Sequence, residues 1–270
     1  MVPQSLHGRT ALVTGSVQGI GLAIACKLAG AGARIAVHGL ASEEQAAEAV
    51  AGVLAAGAPE ARFFPGELRS AEAIATLVDA CENWGPLDIL VNNAGIQRVA
   101  SLETVTREIW DSIIAINLTA PFETMRRALP NMARRGYGRV VNIASAHGLV
   151  ASVDKAPYVA SKFGLVGLSR VAALEYAAAG SRETGGVTVN CICPGFTETP
   201  IIEPQIAARS ALLNGASRED SIRSLLSEKQ PTGRLSQVEE IAEMVLFLTG
   251  RTAHNMTGTA LPIDGGWTAH

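Results

Sequence analysis

Tyr158 and Lys162 stand four residues apart in Ala156-Pro157-Tyr158-Val159-Ala160-Ser161-Lys162, so both project from one face if the segment is helical. A phenol with an ordinary pKa of about 10 is a poor base at neutral pH. An ammonium beside it stabilises the phenolate, and such a pair can take up and return a proton near pH 7. The same spacing also suits a plain solvated helix face. Ser145 favours the chemical reading, because it follows an apolar run at 139–143 that reads as a strand. Ligands bind at such strand ends in open parallel sheets, and its hydroxyl can reach the same oxygen. His147 lies two residues beyond Ser145, Lys155 three before Tyr158, and Gln97 and Gln205 add amides. An imidazole, an ammonium and two amides converging on one reacting carbon would suit a small carboxylate. Each has a plain alternative: Lys155 and Gln205 as exposed loop residues, His147 as a strand-end cap.

A second constellation stands near the start of the chain. Ala11-Leu12-Val13 reads as a strand, followed by Thr14-Gly15-Ser16-Val17-Gln18-Gly19-Ile20-Gly21 opening a helix. Gly15, Gly19 and Gly21 let the backbone turn tightly, and a pyrophosphate can approach the free amides and positive dipole end of the helix beside Gln18 and Ile20. A glycine-rich turn alone is weak, but its place between strand and helix strengthens it. Past the second strand, Val37-His38-Gly39-Leu40-Ala41-Ser42 holds neither a carboxylate for a ribose 2′-hydroxyl nor an arginine for a 2′-phosphate. Without a cation a 2′-phosphate would be uncompensated, which favours NAD over NADP.

These groups need a scaffold. Strands are expected at 11–13, 34–37, 61–64, 88–91, 139–143, 188–192 and 259–263. Helices are expected at 19–29, 42–56, 71–84, 158–178 and 238–248, with a long one from near 106 through Asn117 toward 134 that Pro121 interrupts. Strands regularly spaced by helices predict an α/β, Rossmann-type doubly wound parallel sheet of about seven strands with helices on both faces. An irregular helical stretch at 200–227 would cover the substrate, and 180–186 reads as a surface loop. No linker or repeat divides the 270 residues, so one domain is the simplest organisation.

Composition narrows the function classes. Hydrophobic residues at 48% and charged residues at 17% allow a large core. A net charge of −3 offers no long-range attraction for nucleic acid or an anionic membrane. No apolar run reaches the roughly 18 to 20 residues of a membrane helix, and residues 1–10 show no export pattern, so a cytoplasmic protein is expected. Cys26, Cys81, Cys191 and Cys193 lack disulfide or zinc spacing and are expected as reduced thiols. His7, His38, His254 and His270 are scattered without metal spacing, and Trp267 reads as core or interface packing.

The G-x-x-x-G-x-G spacing resembles that of the short-chain dehydrogenase/reductase family, and the likeness spans nearly the whole chain. Asn92-Asn93-Ala94-Gly95 is similar to the family's N-N-A-G element beside the cofactor, and Pro194-Gly195 with Thr197 and Thr199 to its nicotinamide-holding segment. Glu67-Leu68 stands where the family often shows Asp and a small apolar residue beside the adenine. The resemblance implies that Ser145, Tyr158 and Lys162 oxidise an alcohol or reduce a carbonyl, with Asn117 supporting a water-mediated proton relay. Gln97, His147, Lys155 and Gln205, with Leu226-Ser227-Glu228-Lys229-Gln230-Pro231 and Asp264-Gly265-Gly266-Trp267, resemble the branch that interconverts (R)-3-hydroxybutyrate and acetoacetate. Two departures stand out: Phe196 where that branch has tryptophan, and a longer 180–186 loop. The resemblance also implies a homotetramer with the 158–178 helix and the last strand at interfaces. Rival readings are a polyol, a sugar acid or a 3-oxoacyl thioester as substrate, or a non-catalytic NAD-sensing protein.

Overall fold

The computed structural model describes residues 5–269; residues 1–4 and His270 lie outside that description. Seven strands, β1 (Thr10–Val13), β2 (Arg34–Gly39), β3 (Ala61–Pro65), β4 (Leu87–Asn92), β5 (Tyr137–Ile143), β6 (Gly186–Pro194) and β7 (Ala260–Ile263), form one sheet in the order β3-β2-β1-β4-β5-β6-β7. All six pairings are parallel. The expected α/β doubly wound architecture is therefore present. The chain leaves β1 toward β2 on one side and later returns to β1's other side as β4, which opens a crevice between their carboxyl ends.

The central strands are apolar on both sides because both faces are covered. On one face α1 (Gly19–Gly30), α2 (Glu43–Ala55) and α9 (Val238–Thr249) bury Ile24, Leu28, Val53, Ile241 and Val245 against Val13, Val37 and Val91. On the other, α3 (Ala71–Trp84), α5 (Ala120–Arg135) and α6 (Ala156–Tyr176) bury Ile74, Leu77, Met125, Leu129 and Ala172 against Leu12, Leu90 and Val140. Neighbouring Leu12 and Val13 thus serve opposite cores, as a period of two requires.

The long helix expected through Asn117 is not continuous. It divides into α4 (Arg107–Ile114), a π-helical turn (Ala115–Thr119) and α5. The interruption falls just before Pro121, which sits in the first turn of α5 and brings no N–H to the preceding turn. Such π insertions commonly mark functional positions, and this one carries Asn117. The 200–227 stretch is a 3₁₀ turn (Pro200–Ile202) followed by α7 (Glu203–Leu212) and α8 (Arg218–Ser227), and these pack with Phe196 and Trp267 in a small separate core.

A buried polar chain fixes α6 over the sheet. Thr124 donates to Asn92 Oδ1 (2.7 Å), Asn92 Nδ2 donates to Asn142 Oδ1 (2.8 Å), and Asn142 Nδ2 donates to Ser169 Oγ (2.7 Å). The chain joins α5, β4, β5 and α6, so the helix bearing Tyr158 and Lys162 is held in register with the strand that ends beside Ser145. Satisfied buried networks of this kind specify one arrangement, since breaking any member strands the next. All four cysteines are free. Among the described residues no helix is long and apolar enough to cross a membrane, and no group of three or more potential ligands could hold a metal ion.

Candidate active site

Two loops facing each other across the β1/β4 crevice are clipped together. Thr14 Oγ1 accepts the N–H groups of Asn93 (3.0 Å) and Ala94 (3.1 Å), while Asn93 Nδ2 donates to the carbonyls of Thr14 (2.9 Å) and Gly15 (3.1 Å). Gly15 and Gly19 take φ of 64° and 57°, the left-handed region where a side chain is strained. A Cβ on Gly21 would lie 2.2 Å from the Gly15 carbonyl oxygen. The glycines therefore permit a closed turn whose amides open onto the crevice at the start of α1, and Gln18, the residue before that helix, makes no side-chain cap bond. Gly15, Gln18, Gly19, Ile20 and Gly21 line this groove. Leu40, Glu67 and Leu68 line it too, with Asn93, Ala94, Gly95 and Thr199. A dinucleotide fits this donor set: amides at a helix N-terminus for phosphates and an apolar strip for a base. Among the described residues no lysine or arginine side chain lines it. Glu67 is engaged by Arg69, through the backbone N–H (3.1 Å) and the guanidinium (2.6 Å).

His38, which sequence reasoning set aside as one of several scattered histidines, is buried at the centre of this groove. Its Nδ1 accepts the Gly15 N–H (3.3 Å) and its Nε2 donates to the Gly66 carbonyl (3.2 Å), tying the ends of β1, β2 and β3. Burial pulls its pKa from 6.5 to about 4, partly opposed by the Gly66 bond, so the ring is neutral at pH 7 and free to accept. The signal lay in its strand position, one residue before the end of β2.

The groove continues into a second pocket where Ser145, Tyr158, Lys162, Pro194 and Gly195 meet. Tyr158 is the third residue of α6 and Lys162 lies one turn below it. Lys162 Nζ donates to the Ile143 carbonyl (2.8 Å) and lies 5.7 Å from the Tyr158 ring centre. Burial pulls its pKa down to about 8, which leaves it charged at neutral pH. Tyr158 is partly exposed through the crevice, yet burial around its hydroxyl raises its pKa, against a lowering hydrogen bond from Ser145. The expected lowering of Tyr158 by Lys162 is not found in this arrangement: desolvation dominates, and the lowering contribution comes from Ser145. Asn117 stands behind the pocket wall: Oδ1 accepts the Ile96 N–H (2.9 Å), and Nδ2 donates to the Ile96 carbonyl (2.9 Å) and to Ser161 Oγ (3.2 Å). Its side chain clamps the loop after β4 to α6.

Gln97, His147, Lys155 and Gln205 converge on the same pocket. Lys155 is 6% exposed, and its hydrogen bond is to the neutral Gln205 Oε1 (2.9 Å). Burial, then the charge of Lys229, lower its pKa to about 8. Gln97 Nε2 is buried with no hydrogen-bond partner. His147 has partners at both ring nitrogens, Ser145 Oγ (3.5 Å from Nδ1) and Ser152 Oγ (2.9 Å from Nε2). Trp267 packs in the small core as expected, and it also lines the pocket, stacked on Phe196 with ring centres 5.1 Å apart and edge-on to His147 at 4.9 Å. Its chain position, far from every other pocket residue, hid that second role.

A dinucleotide groove at a switch point, opening into a pocket with a tyrosine and lysine one turn apart, defines an oxidoreductase of the doubly wound class. The family described as short chain dehydrogenase matches residues 9–210, and the chain belongs to it. The D-beta-hydroxybutyrate dehydrogenase of Rhizobium meliloti (strain 1021) is 43% identical, with 97% of this chain and 99% of the relative covered. That of Cupriavidus necator is 44% identical over 98% and 99%. Among solved structures, a 3-oxoacyl (acyl-carrier-protein) reductase from Agrobacterium tumefaciens with NADP bound is 32% identical, covers 98% of this chain and 96% of its own, and superposes with a TM-score of 0.86. Enzymes of this family use nicotinamide cofactors.

His38→Phe should preserve the bulk of the ring while stranding the Gly15 N–H and the Gly66 carbonyl, each at about 1–3 kcal/mol. The expected result is a lower Tm and weaker NADH binding by fluorescence titration; unchanged NADH affinity would show that the imidazole does not hold the groove. Because folding lowers the pKa of His38 from 6.5 to about 4, its stabilising effect is complete above about 6.5 and is lost as pH falls from there to about 4. The pH dependence of Tm over that window should flatten in the variant.

Proposed function

We propose that the protein interconverts (R)-3-hydroxybutyrate and acetoacetate with NAD, Tyr158 acting as general acid and base. The observation that carries this is Lys155, a buried ammonium paired only with a neutral amide among the described residues. A buried cation without a counter-charge is costly, and a substrate carboxylate would repay that cost. Gln97 Nε2 adds an unpartnered donor to the same pocket. The stacked Phe196 and Trp267 give an apolar wall for the methyl end of a four-carbon acid. The two bacterial relatives named D-beta-hydroxybutyrate dehydrogenase support both the substrate and its hand. The groove's lack of a lysine or arginine lining among the described residues favours NAD, although three solved relatives hold NADP or NADPH.

Bound NAD supplies the hydride acceptor, through its nicotinamide. The chain's part is proton handling and positioning. Tyr158 removes the alcohol proton, and Ser145 hydrogen-bonds the same oxygen as its charge develops. Since burial disfavours the phenolate, positive charge must oppose it, and the Lys162 ammonium one turn along α6 is the group we assign to that task. Asn117 keeps the post-β4 loop against α6, the support from which a water relay would run. Gly15, Gly19 and Gly21 would hold the pyrophosphate, and Pro194, Gly195 and Thr199 would border the nicotinamide. Four free thiols suit a reducing, cytoplasmic setting. On the outer side of α6, Phe163, Val171 and Leu174 are exposed, which supports self-association through that helix into a homotetramer.

Four outcomes follow from these assignments. Tyr158→Phe should retain the fold and NADH binding yet lose about 10²–10⁴-fold in kcat, and near-native turnover would contradict the proton role. Lys155→Ala should raise the KM for 3-hydroxybutyrate by roughly 10- to 150-fold, equivalent to about 1.5–3 kcal/mol for a charge-assisted bond, and leave that for a 3-hydroxyacyl thioester unchanged. Because free Lys155 loses its proton near pH 8, inhibition by acetate should be strong below that pH and weaken about tenfold per unit above it; a flat profile would remove Lys155 from the carboxylate site. Light scattering should return four times the chain mass, and a monomer would refute the α6 interface.

A further inference from the structure

A third ammonium lies close to the pocket. Lys229 Nζ donates to Ser152 Oγ (2.9 Å) and lies 5.2 Å from the Trp267 ring centre. Ser152 Oγ is also 2.9 Å from His147 Nε2, and His147 Nδ1 is 3.5 Å from Ser145 Oγ, which already accepts the His147 backbone N–H (3.1 Å). Four side chains from three parts of the chain thus form one row: Lys229, Ser152, His147, Ser145.

The direction of hydrogen bonding along this row is fixed from its charged end. An ammonium can only donate, so Ser152 Oγ accepts from Lys229. Ser152 makes no other side-chain hydrogen bond than those to Lys229 and His147. Among the described residues His147 Nε2 is the one side-chain acceptor within reach of its own hydrogen, so the row is assigned with Ser152 donating to it. A neutral imidazole that accepts at Nε2 carries its proton on Nδ1. Burial, with the charges of Lys155 and Lys229 adding to it, holds the ring neutral by lowering its pKa to about 3. Nδ1–H then points at Ser145 Oγ, which becomes an acceptor from the His147 side and keeps its own hydrogen for the oxygen beside Tyr158. With the opposite tautomer, Ser145 would turn its hydrogen toward Nδ1 and away from the reacting atoms.

We propose that Lys229 is a positioning residue which, through Ser152, sets the Nδ1–H tautomer of His147 and so aims the Ser145 hydroxyl at the substrate oxygen. This builds on the proposed role of Ser145, and it gives His147 a task other than binding the carboxylate. In this row both ring nitrogens are occupied, so the acid end of the substrate falls to Lys155, Gln97 and Gln205.

The test combines a tautomer measurement with kinetics. In ¹⁵N-histidine-labelled enzyme, with the His147 signal assigned by its loss in His147→Asn, long-range ¹H–¹⁵N correlation should show Nδ1–H in the native protein. Lys229→Met keeps the stem over Trp267 but removes the donor. It should shift His147 toward Nε2–H and lower kcat roughly tenfold or more, short of the 10²–10³ lost when such a donor is deleted outright, with the KM for NAD unchanged. Lys229→Arg should restore both, and Ser152→Ala should reproduce the shift if Lys229→Met folds poorly. Native Nε2–H, an unmoved tautomer in Lys229→Met and Ser152→Ala, or a rise in substrate KM with kcat intact would overturn the proposal, the last by making Lys229 a direct carboxylate ligand. The tautomer is read without substrate, so a failure of the 3-hydroxybutyrate assignment leaves that result standing and is separately visible as absent turnover.

Discussion

The clip between Thr14 and Asn93 is the constraint on which the site depends. Where the connections from β1 and β4 diverge, the sheet opens, and loops at such a point would drift apart unless bonded across it. One hydroxyl accepting two amides and one carboxamide donating to two carbonyls hold them at fixed spacing. Gly15 then passes so near Ala94 that a Cβ there would lie 3.0 Å from the Ala94 Cα. The start of α1 is aimed into the crevice as a result, and His38 locks the same turn from the β2 side. Groove shape and glycine requirement are thus one fact.

The pocket beyond the groove obeys a second rule. It buries Lys162 and Lys155 without matching carboxylates, one held by a carbonyl and the other by an amide, and half-buried Lys229 beside it is held by a hydroxyl. Each of these partners is neutral, so each charge remains available to something that enters or to a group it orients. Desolvation lowers the pKa of all three, yet Lys155 and Lys162 remain mostly charged at pH 7. A purely structural role would be better served by apolar side chains of similar volume, which avoid the desolvation cost altogether.

Much of this was legible in the chain. The period-two apolar runs and the intervening helices place all seven strands, and the glycine turn, Tyr158 with Lys162, and Ser145 mark the two ends of the site. Local patterns carry that information because each lies within one element. The rest depends on contacts between distant segments. Pro121 marks a break in the long helix, but nothing local shows that the break is a π turn carrying Asn117. His38 resembles any strand histidine until Gly66, 28 residues on, is seen to accept its proton. Lys229 and Ser152 are 77 residues apart, and although Lys229 lies in the 226–231 stretch that carries the resemblance, nothing in that stretch points to Ser152. Trp267 joins Phe196 only because β7 runs beside β6.

The central claim is that a small hydroxy acid, held by Lys155, is oxidised with NAD. It is tested most directly by following NADH at 340 nm with purified protein and NAD or NADP against (R)- and (S)-3-hydroxybutyrate, a polyol and a 3-hydroxyacyl thioester. The account predicts the highest kcat/KM for the (R)-acid with NAD. Preference for the thioester, the polyol or NADP would contradict it.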